Sequence, residues 1–135
     1  MELNIRRLRE SDWESLINWW KWWKWDPLPK KYMPDNGLGG LMVEKNDIPI
    51  VAGFIYFTNS KGALLEWIVS NPEYKEKDRK EAVELLIMGA EQVCKAQGLE
   101  YMFTIGRNKH LIEIHKKLNW SVDDSPSYEI IKIIQ

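Results

Sequence analysis

Residues 63–105, ALLEWIVSNPEYKEKDRKEAVELLIMGAEQVCKAQGLEYMFTI, decide the architecture. The run ALLEWIVS (63–70) is short, apolar and bounded by turn signals, which predicts a strand, and Asn71-Pro72 ends it. Asp78 followed by Glu81 has the spacing of a capping box, so a helix is expected to start there. Val83, Leu86, Ile87, Ala90 and Cys94 keep the three- and four-residue spacing of one helix face. Gly98 is placed to stop that helix, because glycine enters the left-handed backbone region without a steric penalty. EYMFTI (100–105) is the next strand. If the two strands are parallel, their connection is a right-handed crossover.

Outward from this unit the pattern continues. LNIRRL (3–8) alternates as a short strand, and Ser11 with Glu14 again has capping-box spacing, so a helix is expected from Asp12 to Lys24, ending before Pro27. DPLPKKYMPDNGLGG (26–40) reads as a long loop. GLMVEK (40–45) and IPIVAGFIYFT (48–58) flank Asn46-Asp47, a hairpin signal, and residues 59–62, NSKG, turn the chain into the 63–70 strand. Asn108 is placed to cap a last helix through about Leu118, and YEIIKII (128–134) is expected as a closing strand. The order is β-α-loop-β-β-β-α-β-α-β: a mixed sheet with helices on both faces, in one domain covering residues 1–135.

Composition narrows the function classes. Nineteen Lys and Arg nearly balance 20 Asp and Glu, leaving a net charge of −1, which disfavours nucleic acid or anionic membrane as a partner. Cys94 is the lone cysteine and the histidines are His110 and His115, so no internal disulfide and no cysteine- or histidine-rich metal site is expected. No stretch reaches the roughly 18 apolar residues of a membrane span, and the N-terminus has no apolar leader core, so a cytoplasmic protein is expected.

Eight tryptophans are present, and Trp13, Trp19, Trp20, Trp22, Trp23 and Trp25 crowd into one short stretch. On a helix, Trp13, Leu16, Ile17 and Trp20 share a core-facing stripe that Trp23 can extend. Trp22 falls opposite Trp13, with Trp19 and Trp25 flanking it, so these three are expected to form a separate aromatic surface. Loop residues such as Tyr32, a second copy, or a ligand would cover it.

This order, with Ile68-Val69-Ser70-Asn71-Pro72-Glu73-Tyr74 and the run NKHLIEIHKKLNW (108–120), resembles the GNAT superfamily of acetyl-CoA-dependent N-acyltransferases. The first segment is similar to the family's strand leading to its pyrophosphate loop. The second resembles its late motif, with His115, Asn119 and Trp120 at the positions of a Tyr, a Gly and a Phe. The runs WWKWWKWDPLPKKYMP, AGFIYFTNSK and LLEWIVSNPE are similar to divergent bacteriophage-encoded members, which would place the protein in a host cytoplasm.

The resemblance implies acetyl transfer from acetyl-CoA to a primary amine, on a small molecule or a peptide, by direct attack in a ternary complex. It implies donor contacts from Ile68, Val69, Ser70, Lys75, Lys77, Arg79, Lys80 and Asn108, and an acceptor wall from Trp19, Trp22, Trp25 and Tyr32. Glu66 would take the amine proton, unless it only faces solvent or pairs with a lysine. His115 would protonate the departing thiolate, unless it only packs in the core.

One departure stands out. The family's Arg/Gln-x-x-Gly-x-Gly/Ala loop becomes Lys75-Glu76-Lys77-Asp78-Arg79-Lys80, without glycine. Asp78 as an N-cap would occupy backbone N–H groups and put a carboxylate where phosphates belong, with the four basic side chains compensating, so weakened or absent donor binding is expected. The alternative function is a catalytically degenerate binding protein on the same fold, meeting a protein partner or a second copy through its Trp-rich surface.

Overall fold

The computed structural model describes residues 2–123 and 125–134. Its elements are β1 (Asn4–Arg7), α1 (Asp12–Trp22), β2 (Gly40–Lys45), β3 (Ile48–Phe57), β4 (Gly62–Ser70), α2 (Arg79–Ala96), β5 (Tyr101–Phe103) and α3 (Lys109–Lys117). The five strands form one sheet in the order β1-β2-β3-β4-β5, antiparallel except for the parallel pair β4 and β5. Asn46 and Asp47 both take positive φ, 52° and 64°, as the two-residue hairpin between β2 and β3 requires.

Each face of the sheet has its own core. Met42, Ala52, Phe54 and Val69 face Leu16, Trp19 and Trp20 of α1. Val43, Val51, Ile55 and Leu65 face Ala82, Leu86, Ile87, Ala90 and Cys94 of α2, with Ile114 of α3 at the margin. Gly98, at φ +79°, ends α2 as expected, and Leu99 N donates to Cys94 O at 3.0 Å across the reversal. Burial pushes the Cys94 thiol above its ordinary value, as suits a small core residue.

The start of α1 departs from expectation. Ser11 is itself helical and its side chain caps nothing. Asp12 does the work instead: its carboxylate accepts from Arg9 N at 2.8 Å and from both terminal nitrogens of Arg6 at 2.8 and 2.9 Å. Arg6 Nε reaches Glu44 on β2 at 3.0 Å, so one guanidinium joins β1, β2 and α1. Burial pushes the Asp12 carboxyl up, but the hydrogen bonds from Arg6 and Arg9 outweigh it and hold Asp12 below its ordinary value.

The helix ends at Trp22, short of the expected Lys24. Lys24 turns into the left-handed region at φ +64°, and Trp25 N reaches back to Trp20 O at 2.8 Å. The buried residues of α1 are Asp12, Leu16, Trp19 and Trp20; of the expected stripe, Trp13 and Ile17 are partly buried against the same core, and Trp23, expected to extend it, is exposed. Trp19, expected on the exposed aromatic surface, is only 6% exposed. It sits seven residues after Asp12 and three after Leu16, both buried, so it lies inside the arc that the sheet covers. The closing strand is also corrected. Residues 128–134 take no strand structure, and Tyr128, Ile130, Ile131, Ile133 and Ile134 are exposed.

Truncating Trp19 or Trp20 to Ala should cost about 3–5 kcal/mol each, the range for buried aromatics. Trp22→Ala should stay within about 0.5 kcal/mol, as for an ordinary surface change. Urea denaturation of the three variants measures this.

Candidate functional site

The site begins where β4 and β5 part. Their ladder pairs only Gly62–Leu64 with Tyr101–Phe103, while β4 continues to Ser70. Along β3 two steps from Ala52 to Phe54 match three along β4 from Val69 to Glu66, so β4 carries an extra residue there. Trp67 absorbs it at φ +59°, a rare conformation for a bulky aromatic. Gly53 lies opposite: a Cβ there would come within 3.2 Å of Ile68 Cγ1 and 3.3 Å of Leu86 Cδ2.

Beyond the ladder, side chains hold the fork. Thr104 Oγ1 lies within hydrogen-bonding distance of Leu65 O and, at 2.8 Å, of Glu66 Oε2, and its one proton goes to either acceptor. Ile105 N donates to the same Oε2 at 2.9 Å. Glu66 therefore ties the start of the opening together through one oxygen, and among the described residues Oε1 accepts no hydrogen bond.

Above the fork the β4 edge is open. Asn71 N donates to Ile50 O at 2.7 Å, so residue 71 turns its backbone groups toward β3. Adjacent strand residues alternate in this respect, which points the Ser70 carbonyl to the side that β5 vacates. That carbonyl is met by Trp23, whose Nε1 donates to Ser70 O at 2.9 Å. Val69 is buried among the α1-side core residues, and Ile68 packs partly against the α2 side.

Past Ser70 the chain forms a cleft of about 840 Å³ lined by Lys45, Asn46, Ile48, Asn71 and residues 73–76. It leads to the N-terminus of α2. Asp78 stands at the cap position, but its carboxylate takes no backbone N–H, contrary to expectation. It accepts instead from Lys45 Nζ at 2.7 Å and Tyr74 Oη at 2.6 Å. Of the first N–H groups of α2, Arg79 N donates to Glu76 O at 3.3 Å, while those of Lys80 and Glu81 have no partner among the described residues and remain available to a ligand. Hydrogen bonds from Lys45, then Tyr74, hold the Asp78 carboxyl below its ordinary value, and the same contact pushes the Tyr74 hydroxyl up to about 12. Lys75, Lys77, Arg79 and Lys80 are all exposed around this end.

The other expected residues divide. Asn108 caps α3, its Oδ1 accepting from His110 N at 2.8 Å and Leu111 N at 3.3 Å. His115 is 3% exposed, its ring 4.8 Å from that of Trp120. Its Nδ1 lies 2.8 Å from Leu111 O, and a carbonyl can only accept, so the neutral ring is protonated at Nδ1. Nε2 is buried and unpartnered among the described residues, so neutral His115 offers a lone pair there and no proton.

Trp25 packs on Trp67 at 6.3 Å, whereas Trp22 is 59% exposed and Tyr32 lies exposed beneath Lys31. Thr104 and Lys45 carry no signal in the sequence, Tyr74 stands there only as the end of the segment 68–74, and Trp23 only as an extension of the core stripe, which its exposure contradicts. No helix among the described residues is long and apolar enough to cross a membrane.

No protein-family model matches the sequence, nor does any curated protein. Solved structures do. An acetyltransferase of Trypanosoma brucei is 14% identical, with a TM-score of 0.65, over 96% of this chain and 100% of that one. An aminoglycoside acetyltransferase from an uncultured soil sample, in complex with sisomicin, is 13% identical, with a TM-score of 0.65, over 98% of this chain and 97% of that one. A protein of Clostridium acetobutylicum named as a predicted acetyltransferase, with acetyl-CoA, is 12% identical, with a TM-score of 0.63, over 96% of both chains. The chain has the GNAT fold. In GNAT terms, β4 and β5 are the splayed parallel pair, and the segment from Asn71 to Asp78 is the loop opening the helix after it.

Asp78 makes this end of α2 sensitive to acid. A carboxyl lowered by folding contributes its full stability above its unfolded value near 3.8, and the contribution is lost as pH falls through the lower folded value. Between pH 5 and 2, the urea midpoint of Asp78→Asn should therefore fall less steeply than that of the wild type.

Proposed function

We propose that residues 1–135 form one N-acetyltransferase domain of the GNAT type, which moves an acetyl group from acetyl-CoA to a primary amine on a small molecule or peptide. The observation that carries this reading is the parting of β4 and β5 beside an α2 N-terminus that no side chain caps. The residues present suit the donor despite the missing glycines. The N–H groups of Lys80 and Glu81 at the start of α2 are unspent among the described residues, and the Asp78 carboxylate is tied to Lys45 and Tyr74.

Acetyl-CoA would supply a thioester open to direct attack by an amine. Lys75, Lys77, Arg79 and Lys80, with the first N–H groups of α2, would hold its phosphates. The β4 edge from Ile68 to Ser70 would pair with its extended arm, and Asn108 would cap α3 while offering its amide N–H to the donor. Glu66, with Oε1 uncommitted, would take the proton of the amine, and no residue of this chain is needed as an acyl carrier. Trp22 and Tyr32, both exposed, would meet the acceptor. His115 is left to packing, because its ring is buried against Trp120 and tied through Nδ1 to Leu111 O.

The first test is acetyl-CoA binding followed by thiol release with a panel of amines. At about 100 times its Kd, acetyl-CoA should add about 2.7 kcal/mol of stability, visible as a rise in Tm. Glu66→Gln should retain donor binding and lower kcat by about 10²–10⁴-fold, the usual share of a general base. Asp78→Gly removes a carboxylate from the phosphate end and should tighten CoA binding by calorimetry; unchanged affinity would mean the phosphates do not use this loop. The exposed Trp22 also supports a second reading, a binding protein on the same fold. Protein that shows no Tm shift with acetyl-CoA favours that reading.

A further inference from the structure

We propose that Trp23 occupies the place of the acyl donor's arm on β4 and is displaced when the donor binds, so that its indole limits how tightly the donor is held. The inference rests on the acetyltransferase reading above. An unpaired strand edge is a row of N–H donors and carbonyl acceptors, and a ligand that adds to it must bring both kinds of group along its length. An extended arm carrying secondary amides does so. On the edge vacated by β5, the Ser70 carbonyl already has a donor, Trp23 Nε1 at 2.9 Å. A carbonyl has two lone pairs, but a chain added to this edge would lie about 4.8 Å from β4. An indole whose nitrogen is within hydrogen-bonding distance fills that strip.

The same contact is built to open. Trp23 follows the last residue of α1 and precedes Lys24, whose positive φ already turns the backbone out of the helix. Trp19 and Trp20 are 6% and 1% exposed, whereas Trp23 is 38% exposed. Its hydrogen bond to Ser70 is solvent-exposed. Its ring partner is Trp22, at 4.7 Å and 77°, which is itself on the surface. Releasing Trp23 therefore disturbs no buried packing. In the absence of donor the indole shields a strand edge that would otherwise pair with other chains.

Trp23→Phe keeps an aromatic ring and removes the N–H. Titrated with CoA by calorimetry, it should bind about two- to tenfold more tightly than the wild type, the net worth of one neutral hydrogen bond. In the wild-type protein, the Trp23 indole proton, assigned by its contact with Ser70, should shift toward the free-indole position and exchange faster with solvent on saturation with CoA. This second measurement needs no variant to fold. An indole proton that stays in place in the CoA complex, or a Trp23→Phe variant that binds CoA no more tightly, overturns the displacement and leaves the acetyltransferase reading standing. CoA binding by the variant alone supports displacement in its strongest form. CoA binding by neither protein overturns both readings.

Discussion

One extra residue in β4 sets the rest of the site. With Trp67 at φ +59°, β4 bends between Glu66 and Val69 while keeping its register with β3 on either side. A bulge strengthens local twist and breaks a ladder, and here the ladder to β5 stops at Leu64 and Phe103. The backbone groups of β4 beyond that point are left to side chains and ligands. The Thr104 and Ile105 contacts to Glu66 close the base of the opening, and Trp23 covers its upper end at Ser70. Gly53 lets β3 pass close beneath the bulge, where any side chain would meet Ile68 and Leu86.

The charged groups around the opening divide into two sets with different work. Arg6, Asp12 and Glu44 form a half-buried network that ties the first strand and helix to the sheet. Lys45, Tyr74 and Asp78 form a more exposed one at the start of α2. In the second set the carboxylate is held by side chains from β2 and the preceding loop instead of by the helix backbone. The helix keeps the unspent N–H groups of Lys80 and Glu81, and their partial positive charge, at its start.

The tryptophans likewise serve two purposes. Trp20 lies 5.5 Å from both Trp13 and Trp67 and 6.1 Å from Phe54, so indoles make up much of the core on the α1 face. Edge-to-face pairs of this kind add about 0.5–1.5 kcal/mol each beyond burial. The end of the run does different work. Trp22 and Trp23 pair with each other at the rim, where α1 stops and the sheet no longer covers them.

The sequence by itself determined the elements whose causes are local. Apolar periodicity marked α2, the Asn46-Asp47 pair marked the hairpin, Gly98 marked the end of a helix and Asn108 the start of another. Each depends on backbone conformation within a few residues. The residues from 63 to 105 accordingly marked a strand–helix–strand unit, and the order of elements around it a mixed sheet. What only the tertiary structure decided depends on partners distant in the chain. Ser11 and Asp78 have capping-box spacing, yet neither side chain caps, because Asp12 pairs with Arg6 from another strand and Asp78 with Lys45, 33 residues away. Trp19 is buried because the sheet sets the angle at which α1 lies on it, and helix spacing alone leaves that angle free. Residues 128–134 alternate well enough for a strand but have no ladder partner, since a strand needs a neighbouring edge as well as a pattern. The hydrogen bond from Trp23 to Ser70, 47 residues apart, forms where the β5 ladder has already stopped at Leu64 and left that carbonyl without a strand beside it.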